Sequence, residues 1–151
     1  MSTATTISKP ALSIEALLGG RRVFRLKQRT ALDWDLVIRH GLSSAAVDSL
    51  AKTIRVTQSE LAVALDIPVR TLARCKKEGT LNGEESAKLV RLARVVGRAG
   101  EIFEDFDIAL DWLKSPNAAL SGATPLSLLD TDIGAESVMD TLGRIEHGVF
   151  A

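Results

Sequence analysis

Two short helical segments joined by a tight turn, at residues 57–79, constrain the fold more than any other stretch of the chain. Thr57 and Glu60 have the spacing of a capping box, in which each side chain accepts the backbone N–H of the other residue where a helix begins. Pro68 suits the first turn of the second helix, and Gly79 suits its end. The stretch therefore predicts a helix-turn-helix.

This interpretation requires the two short helices to cross closely. Ala62 is small enough for such a crossing, and apolar side chains must anchor it. The candidate anchors are Leu61, Leu65, Leu72 and Cys75. The alternative is an ordinary helical hairpin with a solvated basic face.

The second helix of the pair is basic, and we expect it to enter the major groove of DNA. Arg70 and Arg74 lie four residues apart and therefore on one face, where each can donate two hydrogen bonds to a guanine edge. The neighbouring lysines are expected to contact phosphates, together with a basic connector at residues 21–29. The predicted DNA-binding residues are Gln58, Val69, Arg70, Thr71, Arg74, Lys76 and Lys77.

The formal net charge of zero conceals a division of the chain. Residues 1–100 contain 17 of the 19 basic and 9 of the 19 acidic residues, whereas residues 101–151 contain 2 and 10. We therefore expect a disordered N-terminus (1–10), a basic DNA-binding part (11–100) and an acidic part with a different partner (101–151). Chance placement of charges in a small protein is the alternative.

Helical spacing recurs outside the helix-turn-helix, and no segment reads as a strand, so the predicted fold class is all-α. One helix-turn-helix reads only a half-site, which predicts a homodimer. The apolar helix faces around residues 89–113, which include Leu89, Leu92 and Val96, are the expected pairing surface.

Enzyme, metal and membrane interpretations find little support in the sequence. One cysteine, Cys75, and two distant histidines, His40 and His147, provide neither a disulfide nor a zinc site. Glu146 precedes His147, but no nucleophile is placed near them, so a solvated histidine at a helix end is the better interpretation. The first ten residues lack the basic and apolar pattern of a secretory signal, and no apolar run reaches about 18 residues, so we expect neither export nor a membrane span. We expect a cytoplasmic protein without cofactor, metal or catalytic residues.

Two stretches resemble one known family. Residues 57–79, TQSELAVALDIPVRTLARCKKEG, resemble the Xre/Cro-like helix-turn-helix of bacterial and phage repressors, although Asp66 stands where these usually have glycine. Residues 112–151 resemble the toxin-binding domain of the Xre/MbcA/ParS antitoxins, which include the antitoxins of RES-domain toxins. The second resemblance is carried by Trp112, Leu113, Pro116, Asn117, Leu120, Gly122, Pro125, Leu128, Leu129, Thr131, Gly134, Val138, Leu142 and the sequence RIEHG at 144–148.

The resemblance implies a type II antitoxin with two activities. Its toxin would resemble NAD-degrading enzymes related to ADP-ribosyltransferases, and the C-terminal end of the antitoxin would enter or cover the toxin's active-site cleft. The antitoxin would also pair through its helical regions and bind operator DNA of its own operon. The toxin-binding residues implied are Arg144, Ile145, Glu146, His147, Gly148, Val149, Phe150 and Ala151.

The residues at the end of the chain leave two alternatives open. Val149 and Phe150 are apolar and follow Gly148, a residue suited to closing a helix. They can fold back onto the chain or fill a pocket of a partner. The alternative function is a stand-alone dimeric Xre-like repressor without a toxin, and a RES-like neighbouring gene would distinguish the two.

Overall fold

The structure, a computed structural model, describes residues 12–25, 27 and 30–148. These residues form α-helices and short 3₁₀ turns, without a strand among them, which confirms the all-α prediction. The 3₁₀ turns are Gly20–Arg22, Ala118–Leu120 and Pro125–Leu128. The helices are α1 (Ile14–Leu17), α2 (Ala31–His40), α3 (Ala45–Ile54), α4 (Gln58–Leu65), α5 (Val69–Glu78), α6 (Gly83–Phe103), α7 (Phe106–Lys114) and α8 (Asp132–Glu146).

Side-chain caps determine where most of these helices begin. At each cap a side-chain oxygen accepts a backbone N–H that has no partner inside the helix. Three helices start with a full capping box, formed by Thr30 and Asp33, Thr57 and Glu60, and Asn82 and Glu85. Asp105 caps α7 and Thr131 caps α8.

The longest helix, α6, lies at the centre of the molecule and contacts α1, α2, α4, α7 and α8. Leu89, Leu92 and Val96 are fully buried on it. The expectation that this apolar face pairs with a second copy is therefore wrong, because the face is already covered by helices of the same chain. The change of charge sign at residue 100 falls inside α6, so no linker separates the basic and acidic parts.

Close approach of the backbone makes glycine necessary at the start of α8. A Cβ atom on Gly134 would overlap the carbonyl oxygen of Leu128 and lie 2.9 Å from its carbonyl carbon. The Gly134 N–H also donates to Thr131 Oγ1 at 3.0 Å. The turn Pro125–Leu128 and the first turn of α8 are thus in direct backbone contact.

Two expectations from the sequence fall outside the described residues. These are the disordered N-terminus at residues 1–10 and the placement of Val149–Ala151. Among the helices that the structure does describe, none has the length and apolar character needed to cross a bilayer.

Candidate functional site

The predicted helix-turn-helix is formed by α4 and α5. Thr57 Oγ1 accepts the Glu60 N–H at 3.1 Å, and Glu60 Oε1 accepts the Thr57 N–H at 2.9 Å. The hydrogen bond from the Thr57 backbone N–H, and after it one from the Thr57 side chain, lowers the pKa of the Glu60 carboxyl. Ala62 and Leu72 are buried where the helices cross, as the motif requires.

The turn between α4 and α5 uses Asp66 in the left-handed conformation, with φ at 55°. Aspartate adopts this conformation more readily than most residues, so it can replace the glycine usual at this position. The next N–H, of Ile67, donates to the Ala62 carbonyl at 3.0 Å. Lys88 Nζ from α6 donates to the Asp66 carbonyl at 2.9 Å, which ties the turn to the central helix.

The outer face of α5 is accessible. Val69 is 49% exposed, and Arg70 and Lys77 are also exposed. Arg70 forms no ion pair with any residue in the described part of the chain. Thr71 is half-buried beside it. This face therefore offers one unpaired guanidinium, a lysine and a partly apolar edge to a ligand.

Arg74, by contrast, is held by a buried carboxylate. Its Nη2 atom lies 3.1 Å from Oε2 of Glu85, which is 8% exposed at the start of α6. The other Glu85 oxygen accepts the Asn82 N–H at 2.8 Å and the Cys75 thiol at 3.4 Å. Burial, with a smaller contribution from Glu85, raises the pKa of that thiol. One nitrogen of the Arg74 guanidinium is thus already engaged.

Two further predicted DNA-binding residues share a single acceptor on α3. Lys76 Nζ lies 3.0 Å from Asp48 Oδ1, and Gln58 Nε2 donates to the same oxygen at 3.3 Å. Neither Asp48 nor Glu85 was among the functional residues predicted from the sequence. The spacing of Asn82 and Glu85 had the form of a capping box, but no local pattern marks Asp48.

The motif residues of the acidic part mainly build its structure. Asn117 Oδ1 accepts the Ala119 N–H at 2.9 Å, and Thr131 caps α8. Val138 and Leu142 are fully buried on the inner side of α8. These four motif residues therefore form a turn, the start of α8 and part of the core of the domain.

The last turn of α8 is where implied toxin-binding residues reach the surface. Arg144, His147 and Gly148 are exposed, and Ile145 is half-buried. Glu146 Oε1 accepts from Arg98 Nη2 at 2.6 Å, so its carboxylate is paired within the chain. Residues 144–148 thus form the end of α8 and the two residues that follow it.

Ion pairs connect the basic part of the chain to the acidic part. Besides Arg98 and Glu146, Arg91 Nη1 lies 2.7 Å from Asp132 Oδ1. Arg55 Nη2 lies 2.6 Å from Asp107 Oδ1 in the same way. Such surface pairs contribute up to about 1 kcal/mol each. Part of the positive charge of the basic part is thus neutralised by carboxylates of the acidic part of the same chain.

Comparison with known proteins gives the same two-part arrangement. The family model described as the antitoxin Xre-like helix-turn-helix domain matches residues 33–94, and the antitoxin Xre/MbcA/ParS C-terminal toxin-binding domain matches residues 98–148. The chain is 36% identical over 116 residues to a protein named Antitoxin Xre from Yersinia enterocolitica, covering 76% of this chain and 78% of the relative. It is 34% identical over 117 residues to the Antitoxin Xre of Photorhabdus laumondii, covering 76% and 79%.

A third relative, from Sphingobium sp., is named Prs ADP-ribosylating antitoxin. It is 29% identical over 125 residues, covering 76% of this chain and 79% of the relative. Its name differs, but the match again extends over most of both chains. Together these matches identify a non-enzymatic protein with a cognate toxin as partner. The chain belongs to the Xre/MbcA/ParS family of antitoxins, with an Xre-like helix-turn-helix followed by a C-terminal toxin-binding domain.

Proposed function

We propose that this antitoxin neutralises an NAD-degrading, RES-domain toxin by covering its active site with the last turn of α8 and the residues that follow. We also propose that it binds operator DNA of its own operon as a homodimer. The observation that carries the first proposal is the contrast along α8. Val138 and Leu142 are buried inside the domain, whereas Arg144 and His147 are exposed beyond them.

The exposed end of α8 is well suited to delivering a short apolar segment to a partner. The Arg98–Glu146 ion pair holds the last turn against α6, so the turn is positioned before any partner arrives. Val149 and Phe150 come directly after it in the sequence. A buried aromatic anchor is often worth more than about 2 kcal/mol at an interface. One relative is named for ADP-ribosylation, a reaction that consumes NAD, which agrees with an NAD-using toxin.

The DNA proposal is supported by the accessible face of α5. Arg70 is exposed and unpaired among the described residues, so it is free to donate to a guanine edge. Lys77 is exposed on the same helix, so its ammonium group is free to contact a phosphate. Two copies on a palindrome would place two such faces about one helical turn apart, which is why we propose a homodimer.

The toxin proposal is tested by deleting residues 147–151. The toxin gene next to the antitoxin gene is expressed together with each variant, and rescue of cell growth is measured. We expect rescue to fall sharply while the melting temperature and binding to the DNA upstream of the gene stay close to wild type, because His147 and Gly148 are exposed and bury no core surface. The control is Ile133→Ala, which trims an apolar residue that is 77% exposed at the opposite end of α8.

Three outcomes would count against the proposal. Full rescue by a stable truncated protein would mean that another surface holds the toxin. Early melting would show that the end of the chain belongs to the core. If the protein binds upstream DNA but no product of a neighbouring gene, the repressor function alone remains.

A further inference from the structure

A groove beside the helix-turn-helix is lined by several cationic side chains. The proposed function gives this group of side chains no shared role. It lies between the 3₁₀ turn Gly20–Arg22 and α3, and its volume is about 660 Å³. Its charged lining residues are Arg22, Asp48, Lys52 and Arg55. Arg22 and Lys52 come from segments 30 residues apart in the sequence, and the fold places them on the walls of one open groove.

The electrostatics of the groove favour an anion. Arg22 and Lys52 are exposed and make no ion pair with any residue that the structure describes. Arg55 forms an ion pair with Asp107, with Nη2 lying 2.6 Å from Oδ1. The one carboxylate among the lining residues, Asp48, is neutralised by Lys76 at 3.0 Å. The groove thus keeps an excess of positive charge that its own side chains do not satisfy.

The groove is also continuous with the helix-turn-helix. Asp48 forms part of its wall, and the same carboxylate accepts from Gln58 on α4 and Lys76 on α5. The groove and α5 therefore meet at the Asp48 side chain. Successive phosphates of a DNA strand rise by about 3.4 Å, so a strand that passes Lys76 has further phosphates within reach of the groove.

We infer that this groove binds phosphates of the same DNA duplex that α5 contacts, extending the DNA site over α3 and the turn at residues 20–22. This inference rests on the proposed DNA binding by the helix-turn-helix. Phosphate contacts carry no base information, so the groove adds affinity and salt dependence while sequence preference stays with α5.

The test uses the full chain and a random-sequence duplex of about three helical turns, a length that several protein–phosphate contacts occupy. Binding is followed by fluorescence anisotropy over a series of salt concentrations. The slope of log K against log salt is negative, and each lost phosphate contact reduces its magnitude by about 0.9. The double variant Arg22→Gln/Lys52→Gln is therefore expected to reduce that magnitude by about 1.8. The matched control is Arg94→Gln/Arg144→Gln, which removes the same charge from exposed positions on α6 and α8.

The possible results separate the groove from the helix-turn-helix. An equal change of slope in both double variants would overturn the inferred phosphate binding by the groove, because the net charge of the protein alone would then explain the salt dependence. An unchanged slope in the groove variant, with a reduced slope in Lys77→Gln, would also overturn it while leaving the helix-turn-helix as the DNA site. Absence of salt-dependent binding by the wild-type chain would overturn the proposed DNA binding and the groove with it. Melting temperatures confirm that each variant is folded.

Discussion

The substitution Gly134→Ala tests how tightly the toxin-binding domain is assembled. The added Cβ would overlap the Leu128 carbonyl oxygen, 2.9 Å from its carbon, and would lie 3.0 Å from Thr131 Oγ1. Neither neighbour is the end of a flexible side chain, since one is backbone and the other is the helix cap. The start of α8 must therefore move away from the turn Pro125–Leu128.

The expected loss of stability follows from three contributions. Forced displacement of packed atoms costs about 1–3 kcal/mol. Loss of the Thr131 cap costs a further 0.5–2 kcal/mol or so. Alanine in a helix regains roughly 0.5–1 kcal/mol over glycine. The net free energy of unfolding should fall by about 2.5 kcal/mol.

The same helix offers a matched control in Gly143→Ala. A Cβ at Gly143 meets no described atom within 4 Å, so this change should stabilise the protein by about 0.5–1 kcal/mol. Equilibrium urea unfolding, followed by circular dichroism, measures both variants. If Gly134→Ala is as stable as wild type, or gains stability as Gly143→Ala does, the close approach to Leu128 does not constrain the domain.

Three further predictions concern the helix-turn-helix. Arg70→Ala should cost about 1–3 kcal/mol on the operator and far less on random DNA in titrations of both, whereas equal losses would assign Arg70 to phosphates. The pKa of Glu60 is lowered in the folded state. Its contribution to the stability of the fold is therefore present above the unfolded pKa and is lost as the pH falls through the folded pKa. Glu60→Gln should flatten this acid-side decline in urea unfolding, and an unchanged pH profile would contradict it. Burial raises the pKa of Cys75, so alkylation by iodoacetamide should be slow in the native protein and fast in urea; rapid native labelling would refute this.

Local patterns in the sequence predicted the two helices of the helix-turn-helix and the capping box of the first one correctly. Thr57 and Glu60 lie three residues apart, so their spacing alone indicates the capping box that the structure contains. The left-handed turn at Asp66 is equally local. The helix-turn-helix and the all-α fold follow from such short-range features, which do not depend on where distant segments lie.

Contacts between distant segments could not be predicted in this way. The apolar stripe of α6 indicated that Leu89 and Leu92 are buried, but periodicity does not say what covers them, and the pairing surface was wrong for that reason. Asp48 meets Lys76 across 28 positions of sequence. Glu85 caps a helix locally, yet its hold on Arg74 depends on how α5 and α6 cross.

The continuity of α6 fixes the rotation of the toxin-binding domain relative to the helix-turn-helix domain. The matched domains meet between residues 94 and 98, inside the helix, where each residue turns the chain by about 100° and advances it by about 1.5 Å. One residue inserted there would swing the toxin-binding domain about a quarter-turn around the helix-turn-helix. The Arg91–Asp132 pair would be broken, whereas Arg98 and Glu146 would travel together. Under the proposed function, a toxin bound at the end of α8 would be held at a set angle to the DNA.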